Sequence, residues 1–306
     1  MVKRAGYAAV AVAAVLWAAG GTYASRLIHH GASFVELTEA RAWITALVLL
    51  AVIGLRRPPA PRRRVHPGLV VLFGCSIAGA NFSYYASLSR LPVAIAITVQ
   101  YTAPGLVVLW AAVVERRRPG GRVVGALIAA VVGVALLSEL PSAIRSGHLR
   151  VDALGLVLSV VAAFAFATYM VTGEHVARAI GSQGAVLRGF CVASVLWIVV
   201  QAIRGRPDTL LDPRFWPGIA FLAGATTIAP FLLFVWGLER VRASDAGIVS
   251  TLEPLTAALL AFVWLGQSLS LVQIVGGLLV VVGIGVIQVE RPVPPEAVAR
   301  VQFDSL

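Results

Sequence analysis

Charged residues, and lysine above all, are scarce in this chain. Only 13% of its 306 residues are charged and 59% are hydrophobic, whereas soluble domains carry about 25% charged residues. Lysine occurs once, at Lys3, which leaves no phosphate-binding loop of the G-x-x-x-x-G-K-[ST] type. The composition excludes an ordinary soluble enzyme and predicts a polytopic membrane protein without an ATP-hydrolysing site of its own.

The sequence also lacks the patterns of metal and nucleophilic sites. Its two cysteines, Cys75 and Cys191, lie inside apolar runs and form neither a disulfide framework nor a metal-ligand spacing. The five histidines fall near the ends of apolar runs without zinc spacing, and H-E-x-x-H and G-x-S-x-G do not occur. We therefore expect no metal, no cofactor and no enzymatic activity.

Long apolar runs account for most of the chain. A bilayer span needs about 20 apolar residues, and ten such runs follow one another with short loops between them. The sequence predicts an all-α integral membrane protein with ten transmembrane helices. In the fifth run, Gly125, Ala129 and Gly133 recur at four-residue steps, a spacing that lets two helices approach closely.

The net charge of +11 lies mostly in the loops between these runs, which indicates membrane topology rather than nucleic-acid binding. Sixteen Lys and Arg residues fall at the termini and the loops of one side, and seven fall on the other side. The positive-inside rule then places both termini in the cytoplasm, in a multi-pass protein of the plasma or inner membrane. The expected partners are the lipid bilayer and a small-molecule substrate, with no nucleic acid, and the chain is expected to be a monomer or weak homodimer.

The two halves of the chain are similar to each other. Leu88-Ser89-Arg90 corresponds to Leu238-Glu239-Arg240, and Pro104 corresponds to Pro254, both at an offset of 150. We expect two five-helix repeats, 1–140 and 153–290, with a loop at 141–152 between them and a cytoplasmic tail at 291–306. Because five is odd, tandem repeats have opposite orientations, an arrangement that recurs in alternating-access transporters.

A carboxylate lies within the ninth predicted span, directly before a proline. Glu253 and Pro254 belong to the apolar run from Ser244 to Leu265. A charge at a helix centre costs about 2.5–3.5 kcal/mol, and proline removes a helix hydrogen bond. Two interpretations stay open. Glu253 couples transport to protons, in which case Glu253→Gln abolishes pH-gradient-driven transport but spares exchange, or it is a structural hydrogen-bonding group at a helix break.

The segment from Ser250 to Ser270, with Glu253-Pro254 and Leu265-Gly266-Gln267, resembles the end of an EamA repeat of the drug/metabolite transporter superfamily. The first half matches less well, with Ala103-Pro104 in place of Glu253-Pro254. Gln267 stands where the family commonly has an acid. The resemblance implies ten helices in two inverted EamA repeats around a central cavity, and ATP-independent export or uptake of small metabolites, often amino acids.

Inverted repeats predict that the fourth and ninth spans face each other across the pseudo-axis. Gln100 and Tyr101 then pair with Ser250 and Thr251, about one turn before Pro104 and Pro254. We expect these four polar residues to line a substrate cavity, with Glu253 and the two prolines acting in coupling or as hinges. Helix packing is the alternative role for each of the five residues that would complete the cavity: Trp17, Asn81, Tyr85, Tyr169 and Thr227.

Aromatic walls with a few amide and hydroxyl groups suit neutral or aromatic amino acids. The expected function is secondary transport, most simply export, of such metabolites by alternating access, with proton coupling left open. A carrier or flippase of amphipathic drugs or lipid-linked sugars is the alternative. Arg41 and Arg188 either hold a substrate carboxylate or snorkel and pair near span ends, Arg41 with Glu36 or Glu39.

Overall fold

The computed structural model describes residues 2–55, 63–88, 90–91, 93–145, 152–265 and 268–288. Within these ranges the chain is built of helices and short connections, with no strand. Gln267 and the predicted tail at 291–306 lie outside the described residues.

The first half of the chain forms five long helical segments, of which the fourth is broken in two. The predicted loop at 141–152 begins with a short helix of its own. In chain order the helices are α1 (Val2–His29), α2 (Phe34–Leu55), α3 (Pro67–Leu88), α4 (Val93–Gln100), α5 (Ala103–Val113), α6 (Gly121–Leu137) and α7 (Leu140–Arg145).

The second half repeats this order of segments. A four-residue helix and a 3-10 turn (Pro213–Phe215) are added before its third long segment, and a π-helical turn (Gly224–Ile228) interrupts that segment. The α-helices are α8 (Ala153–Ile180), α9 (Ser182–Arg204), α10 (Asp208–Leu211), α11 (Trp216–Ala223), α12 (Ala229–Leu238), α13 (Ala243–Ser250), α14 (Leu252–Leu265) and α15 (Leu271–Gln288).

Local signals explain where the helices of the second half begin and end. The Asp152 carboxylate accepts a 2.7 Å hydrogen bond from the Gly155 N–H and caps α8. Gly181, with φ of 78°, lets the chain turn directly from α8 into α9, and Gly205, with φ of 90°, ends α9. The sharp turns keep α8 and α9 adjacent in the bundle.

Among the residues that the structure describes, seven helical segments are long and apolar enough to cross a membrane, and Gly121–Leu137 is a shorter apolar helix. Helix α8 has 28 residues and so spans about 42 Å at 1.5 Å per residue, more than the bilayer core of about 30 Å. These helices confirm the predicted all-α membrane fold. The segment α2 carries three charged residues within an otherwise apolar helix: Glu36, Glu39 and Arg41.

The fourth helical segment of each half is broken near the middle. In the first half, Tyr101 and Thr102 form a turn between α4 and α5, and in the second half Thr251 separates α13 from α14. Pro104 and Pro254 lie in the first turn of the helix that follows each break, where a missing N–H is tolerated. Broken helices of this kind, in equivalent places of two halves, are typical of transporter binding sites.

Equivalent helices make equivalent contacts in the two halves. Helix α3 packs along α8, as α12 packs along α1, and α4 and α5 contact α8 as α13 and α14 contact α1. Helices α6 and α15, which end the two halves, pack against each other. The fold therefore has a pseudo-two-fold arrangement of two five-segment units, and the odd number of segments makes their orientations opposite.

The contact between α6 and α15 depends on glycine. A Cβ atom on Gly133 would lie 2.7 Å from the carbonyl oxygen of Gly276, and a Cβ atom on Gly276 would lie 2.7 Å from the carbonyl oxygen of Gly133. Gly125 has open space around it, so only the later part of the predicted small-residue pattern forms the close approach.

Candidate functional site: a central cavity with two opposite charges

A cavity of about 550 Å³ lies between the two halves of the bundle. Its walls come from both halves, with residues of α1 to α4 on one side and of α8, α12 and α14 on the other. It reaches the end of α1 at Ile28 and the start of α2 at Phe34. Volumes of about 300–1,000 Å³ are usual for small-molecule sites, so the cavity accommodates a metabolite.

Glu253 lines this cavity from the first turn of α14. Its Oε2 accepts a 2.7 Å hydrogen bond from the hydroxyl of Tyr101, which is 2% exposed. Tyr101 itself belongs to the turn between α4 and α5. The hydrogen bond therefore joins the two helix breaks across the pseudo-axis and leaves the carboxylate facing the cavity.

Arg41 supplies the second charge of the cavity wall. The side chain is buried, and its Nε–H donates a 2.6 Å hydrogen bond to Oγ1 of Thr227 while Nη2 donates at 3.5 Å to the carbonyl oxygen of Thr226. The prediction that Arg41 snorkels at a span end is therefore wrong. Its proposed pairing with an acid of α2 is also wrong among the described residues, because Glu36 accepts from the N–H groups of Thr209 and Leu210, and neither carboxylate oxygen of Glu39 has a hydrogen-bond partner.

A π-helical turn explains why Thr227 can hold Arg41. In the turn Gly224–Ile228, the hydroxyls of Thr226 and Thr227 both donate to the carbonyl oxygen of Leu222, at 2.9 and 2.8 Å. Oγ1 of Thr227 is thereby fixed as an acceptor for the guanidinium. Helix α1 comes close at this point because Gly20 has no Cβ atom, which would lie 2.6 Å from Thr226. Turns of this type often occur at functional sites.

The two charges act on one space. Arg41 and Glu253 line the same cavity from different halves of the fold. A guanidinium attracts carboxylates through paired N–H groups, and a carboxylate attracts ammonium groups. The cavity therefore presents one attractive position for a negative group and one for a positive group.

Aromatic rings form the wall between these charges. Trp17 packs edge-on to Phe231 at 5.2 Å between ring centroids, and Phe166 lies 6.4 Å from Tyr101 and 6.0 Å from Tyr169. All of these except Tyr101 line the cavity. The wall is apolar and suited to a hydrocarbon side chain.

The polar face predicted for the third span also lies at the cavity. Asn81, Tyr84 and Tyr85 of α3 contribute to the lining. The Asn81 amide donates to the carbonyl oxygen of Ile77 at 2.8 Å, and the Tyr85 ring packs 6.3 Å from that of Phe34. Leu88, the fourth residue of the pattern, is the last residue of α3.

The structure brings together some of the predicted site residues and separates others. Trp17, Asn81, Tyr85, Gln100, Tyr169, Glu253 and Pro254 line the cavity. Tyr101 and Thr227 lie behind it and contact its two charges. Ser250 and Thr251 are fully buried outside it and donate to the carbonyl oxygens of Gly247 and Ile248, while Pro104 packs near Gly247.

Sequence reasoning missed two features of the cavity and left a third undecided. Phe231 carried no signal beyond its apolarity, and Tyr84 was noted only as part of a face. The third feature is the position of Arg41, a cation eight residues into α2 and well before its end at Leu55. That depth was the signal for an interior position, since charges within spans generally face the bundle interior.

Polar contacts close the opposite end of the bundle. At the start of α1, the hydroxyl of Tyr7 donates to Oδ2 of Asp245 at 3.1 Å. The Ala243 N–H donates to Glu174 at 2.7 Å, and the Ser182 N–H donates to Glu239 at 2.5 Å. These contacts tie α1, α8 and α9 to the region between α12 and α13. The central cavity therefore extends towards the end of the bundle where α1 ends and α2 begins.

No group of three or more His, Cys, Asp or Glu side chains that could hold a metal ion occurs among the residues described by the structure. Cys75 and Cys191 are both free and partly buried.

Comparisons with known proteins agree with this architecture. The threonine/homoserine exporter RhtA of Salmonella typhimurium (strain SL1344) is 29% identical over 230 residues, covering 75% of this chain and 74% of RhtA. RhtA of Escherichia coli (strain K12) is 27% identical over 230 residues, which again cover 75% of this chain and 74% of that protein. The uncharacterized inner membrane transporter YicL of Salmonella typhimurium (strain LT2) is 24% identical, covering 90% of this chain and 93% of YicL.

A solved crystal structure of a protein superimposes with a TM-score of 0.73, covering 94% of this chain and 97% of that chain at 21% identity, which shows a common fold. The model of the EamA-like transporter family matches residues 4–139 and 153–289, one match in each half. The chain therefore belongs to the EamA-like transporter family and is a membrane transporter rather than an enzyme.

Proposed function

We propose that this transporter exports small neutral amino acids in their zwitterionic form. The observation that carries the proposal is the placement of Arg41 and Glu253 on one cavity wall each, facing the same space. A zwitterion has one carboxylate and one ammonium group, so it matches both charges at once. An uncharged or singly charged metabolite leaves at least one of them without a partner of opposite charge in a largely apolar site, which is unfavourable.

The hydrogen bonds of Arg41 leave it able to bind a carboxylate. A guanidinium has five N–H donors, and the contacts to Thr226 and Thr227 use two of its nitrogens. Thr227 fixes Nε, so the side chain is pre-oriented and loses little freedom when a ligand binds. On the other side, Oε2 of Glu253 is held by Tyr101, and the carboxylate is placed for an ammonium group.

The relatives support an amino acid as cargo. Two of them, at 29% and 27% identity, are named threonine/homoserine exporters. Threonine and homoserine are both small and zwitterionic at neutral pH. The cavity, with its two charges and an aromatic wall, fits this chemistry better than it fits the alternative cargo of amphipathic drugs or lipid-linked sugars, which requires a larger apolar surface.

The two similar halves support transport by alternating access. The contacts of Tyr7 with Asp245 and of Glu174 with Ala243 close one end, and the cavity extends to the other. With both termini in the cytoplasm, as the arginine distribution predicts, the closed end is cytoplasmic and this conformation is the one that releases substrate outside. Exchange of conformations between the two similar halves produces the loading conformation.

Glu253 is the proposed coupling residue. A carboxylate that binds either a proton or the substrate ammonium group cannot bind both, so the two compete for one position. Protonation from the outside then displaces the amino acid, and release of the proton inside restores the site for the next molecule. This exclusive occupancy makes the transporter a proton–amino acid antiporter driven by the inward proton gradient.

Exchange in proteoliposomes tests the proposal. Vesicles with the purified protein are loaded with radiolabelled L-threonine, and efflux is measured against unlabelled compounds outside. We expect neutral amino acids to accelerate efflux, and the corresponding amino alcohols and carboxylic acids, which lack one charge each, to be at least tenfold less effective. Equal acceleration by all three classes, or by amphipathic cations alone, would overturn the proposal.

A further inference from the structure

Tyr169 of α8 is the residue of the cavity wall whose chemistry the proposed function leaves unexplained. Its side chain lines the cavity but is only 2% exposed, because rings surround it on several sides. The ring centroid lies 5.5 Å from that of Phe73, 5.6 Å from that of Phe234 and 5.7 Å from that of Phe231. A phenylalanine would satisfy every one of these ring contacts.

The hydroxyl of Tyr169 has no hydrogen-bond partner among the described residues. Buried polar groups are nearly always paired, so each unpaired one calls for an explanation. The Tyr101 hydroxyl, which is buried to the same extent, is paired with Glu253. The unpaired hydroxyl of Tyr169 is therefore a specific property of this position and not of buried tyrosines in this fold.

Tyr169 lies close to both charged positions of the cavity. Phe166 separates it from the pair of Tyr101 and Glu253, with ring centroids 6.0 Å from Tyr169 and 6.4 Å from Tyr101. On the other side, Phe231 lies 5.7 Å from Tyr169 and lines a small crevice together with Arg41 and Thr227. A zwitterion held between Arg41 and Glu253 thus has its side chain next to the Tyr169 ring.

We propose that the Tyr169 hydroxyl hydrogen-bonds a hydroxyl group on the substrate side chain and thereby selects hydroxyl-bearing small amino acids. This inference rests on the proposed transport of zwitterionic amino acids and names the substrate class within it. In the present conformation the Tyr169 hydroxyl is buried. The substrate hydroxyl reaches it when the neighbouring aromatic rings shift as the substrate binds.

The physical basis of the selection is the unpaired hydroxyl itself. A substrate with a side-chain hydroxyl gives it a partner, whereas an isosteric hydrocarbon side chain leaves it buried and unpaired. Sites built to bind a hydroxyl reject analogues without one much more strongly than apolar pockets discriminate by size. For a single neutral hydrogen bond in a buried site we expect discrimination of roughly tenfold.

Matched pairs of amino acids test this inference. L-homoserine and L-norvaline differ by a hydroxyl in place of a methyl group, as do L-threonine and L-valine. The concentration of each that half-inhibits exchange of radiolabelled L-threonine in proteoliposomes is measured for the wild-type protein. We expect the hydroxyl-bearing member of at least one pair to be about tenfold more effective. Equal potency within both pairs overturns the inference while leaving the proposed function intact, whereas no inhibition by any amino acid overturns the proposed function itself.

The variant Tyr169→Phe then assigns the effect to one atom. It keeps every ring contact and removes an unpaired buried group, so it is expected to fold and to be at least as stable to heat as the wild type. The potency ratio within each pair should fall to about twofold or less. Tyr23→Phe is the control, since Tyr23 packs on Phe221 at 4.9 Å outside the cavity, and it should retain the wild-type ratio. An unchanged ratio in Tyr169→Phe would contradict the inference.

Discussion

The hydroxyl of Tyr101 donates a 2.7 Å hydrogen bond to the carboxylate of Glu253. The two residues are 152 positions apart in the chain and lie at the helix breaks of opposite repeats. Their contact connects the two half-structures at the wall of the cavity. A movement that separates the two broken helices at this point must break this hydrogen bond.

Removal of that hydrogen bond should destabilise the bundle. Tyr101→Phe leaves the Glu253 carboxylate without its donor in a largely apolar site, which costs about 1–3 kcal/mol. We expect a lower apparent melting temperature in detergent. The loss should be non-additive with Glu253→Leu, which removes the acceptor of this hydrogen bond, since residues in direct contact couple by about 0.5–3 kcal/mol. Additive losses in the double variant would show that the contact contributes nothing to stability.

Charge at Glu253 should determine how transport responds to pH. In the wild type, protons outside compete with the substrate ammonium group, so binding from that side weakens as the external pH falls. Glu253→Gln cannot bind a proton in this range, and its exchange should be independent of pH and no longer driven by a proton gradient. Exchange itself should persist with lower affinity, because the amide still accepts a hydrogen bond.

Asp208→Asn is the matched control for this charge removal. Asp208 lies in an exposed ion pair with Arg206, with 84% of its side chain accessible, and outside the cavity. Its variant should keep the wild-type pH profile. If Glu253→Gln also keeps that profile while folding normally, Glu253 is structural and the coupling proposal fails.

The contact between α6 and α15 offers a test of the helix packing. Gly133→Ala places a Cβ atom 2.7 Å from a backbone oxygen of Gly276, so the two helices must separate and lose packing contacts. Gly125→Ala, in the same helix, meets open space and gains helix propensity of about 1 kcal/mol. We expect the first variant to melt at a lower temperature than the wild type and the second at the same or a higher one. The reverse order would contradict the described packing of these helices.

Much of the architecture could be predicted from composition and the internal repeat. Apolar runs predict the helices, and Pro104 and Pro254 predict breaks at equivalent places, because a proline always lacks its N–H whatever surrounds it. The polar face of α3 follows from helical periodicity, which places Asn81 and Tyr85 on one side.

The site itself was less accessible to such reasoning. Ser250 and Thr251 lie at a helix break as expected, yet their hydroxyls bind carbonyl oxygens of the preceding helix turn in α13, a local option open to every serine and threonine in a span. Whether Arg41 holds a substrate carboxylate or snorkels at a span end stayed open, because hydropathy does not give the direction of a side chain. Its actual partner, Thr227, depends on a π-helical turn, for which the sequence offers no simple signal.

Arg41 is the residue that we propose binds the carboxylate of a zwitterionic substrate. The most direct measurement is the inhibition of L-threonine exchange by L-threonine and by its amino alcohol, threoninol, in wild type, Arg41→Gln and Arg188→Gln. Arg188 occupies the equivalent place in the second repeat but is exposed and lines no part of the cavity. We expect the wild type and Arg188→Gln to prefer L-threonine over the alcohol by at least tenfold. In Arg41→Gln that preference should vanish, with binding of the alcohol largely retained. A preference that survives in Arg41→Gln, in a protein that still exchanges substrate, would show that Arg41 does not bind the substrate carboxylate.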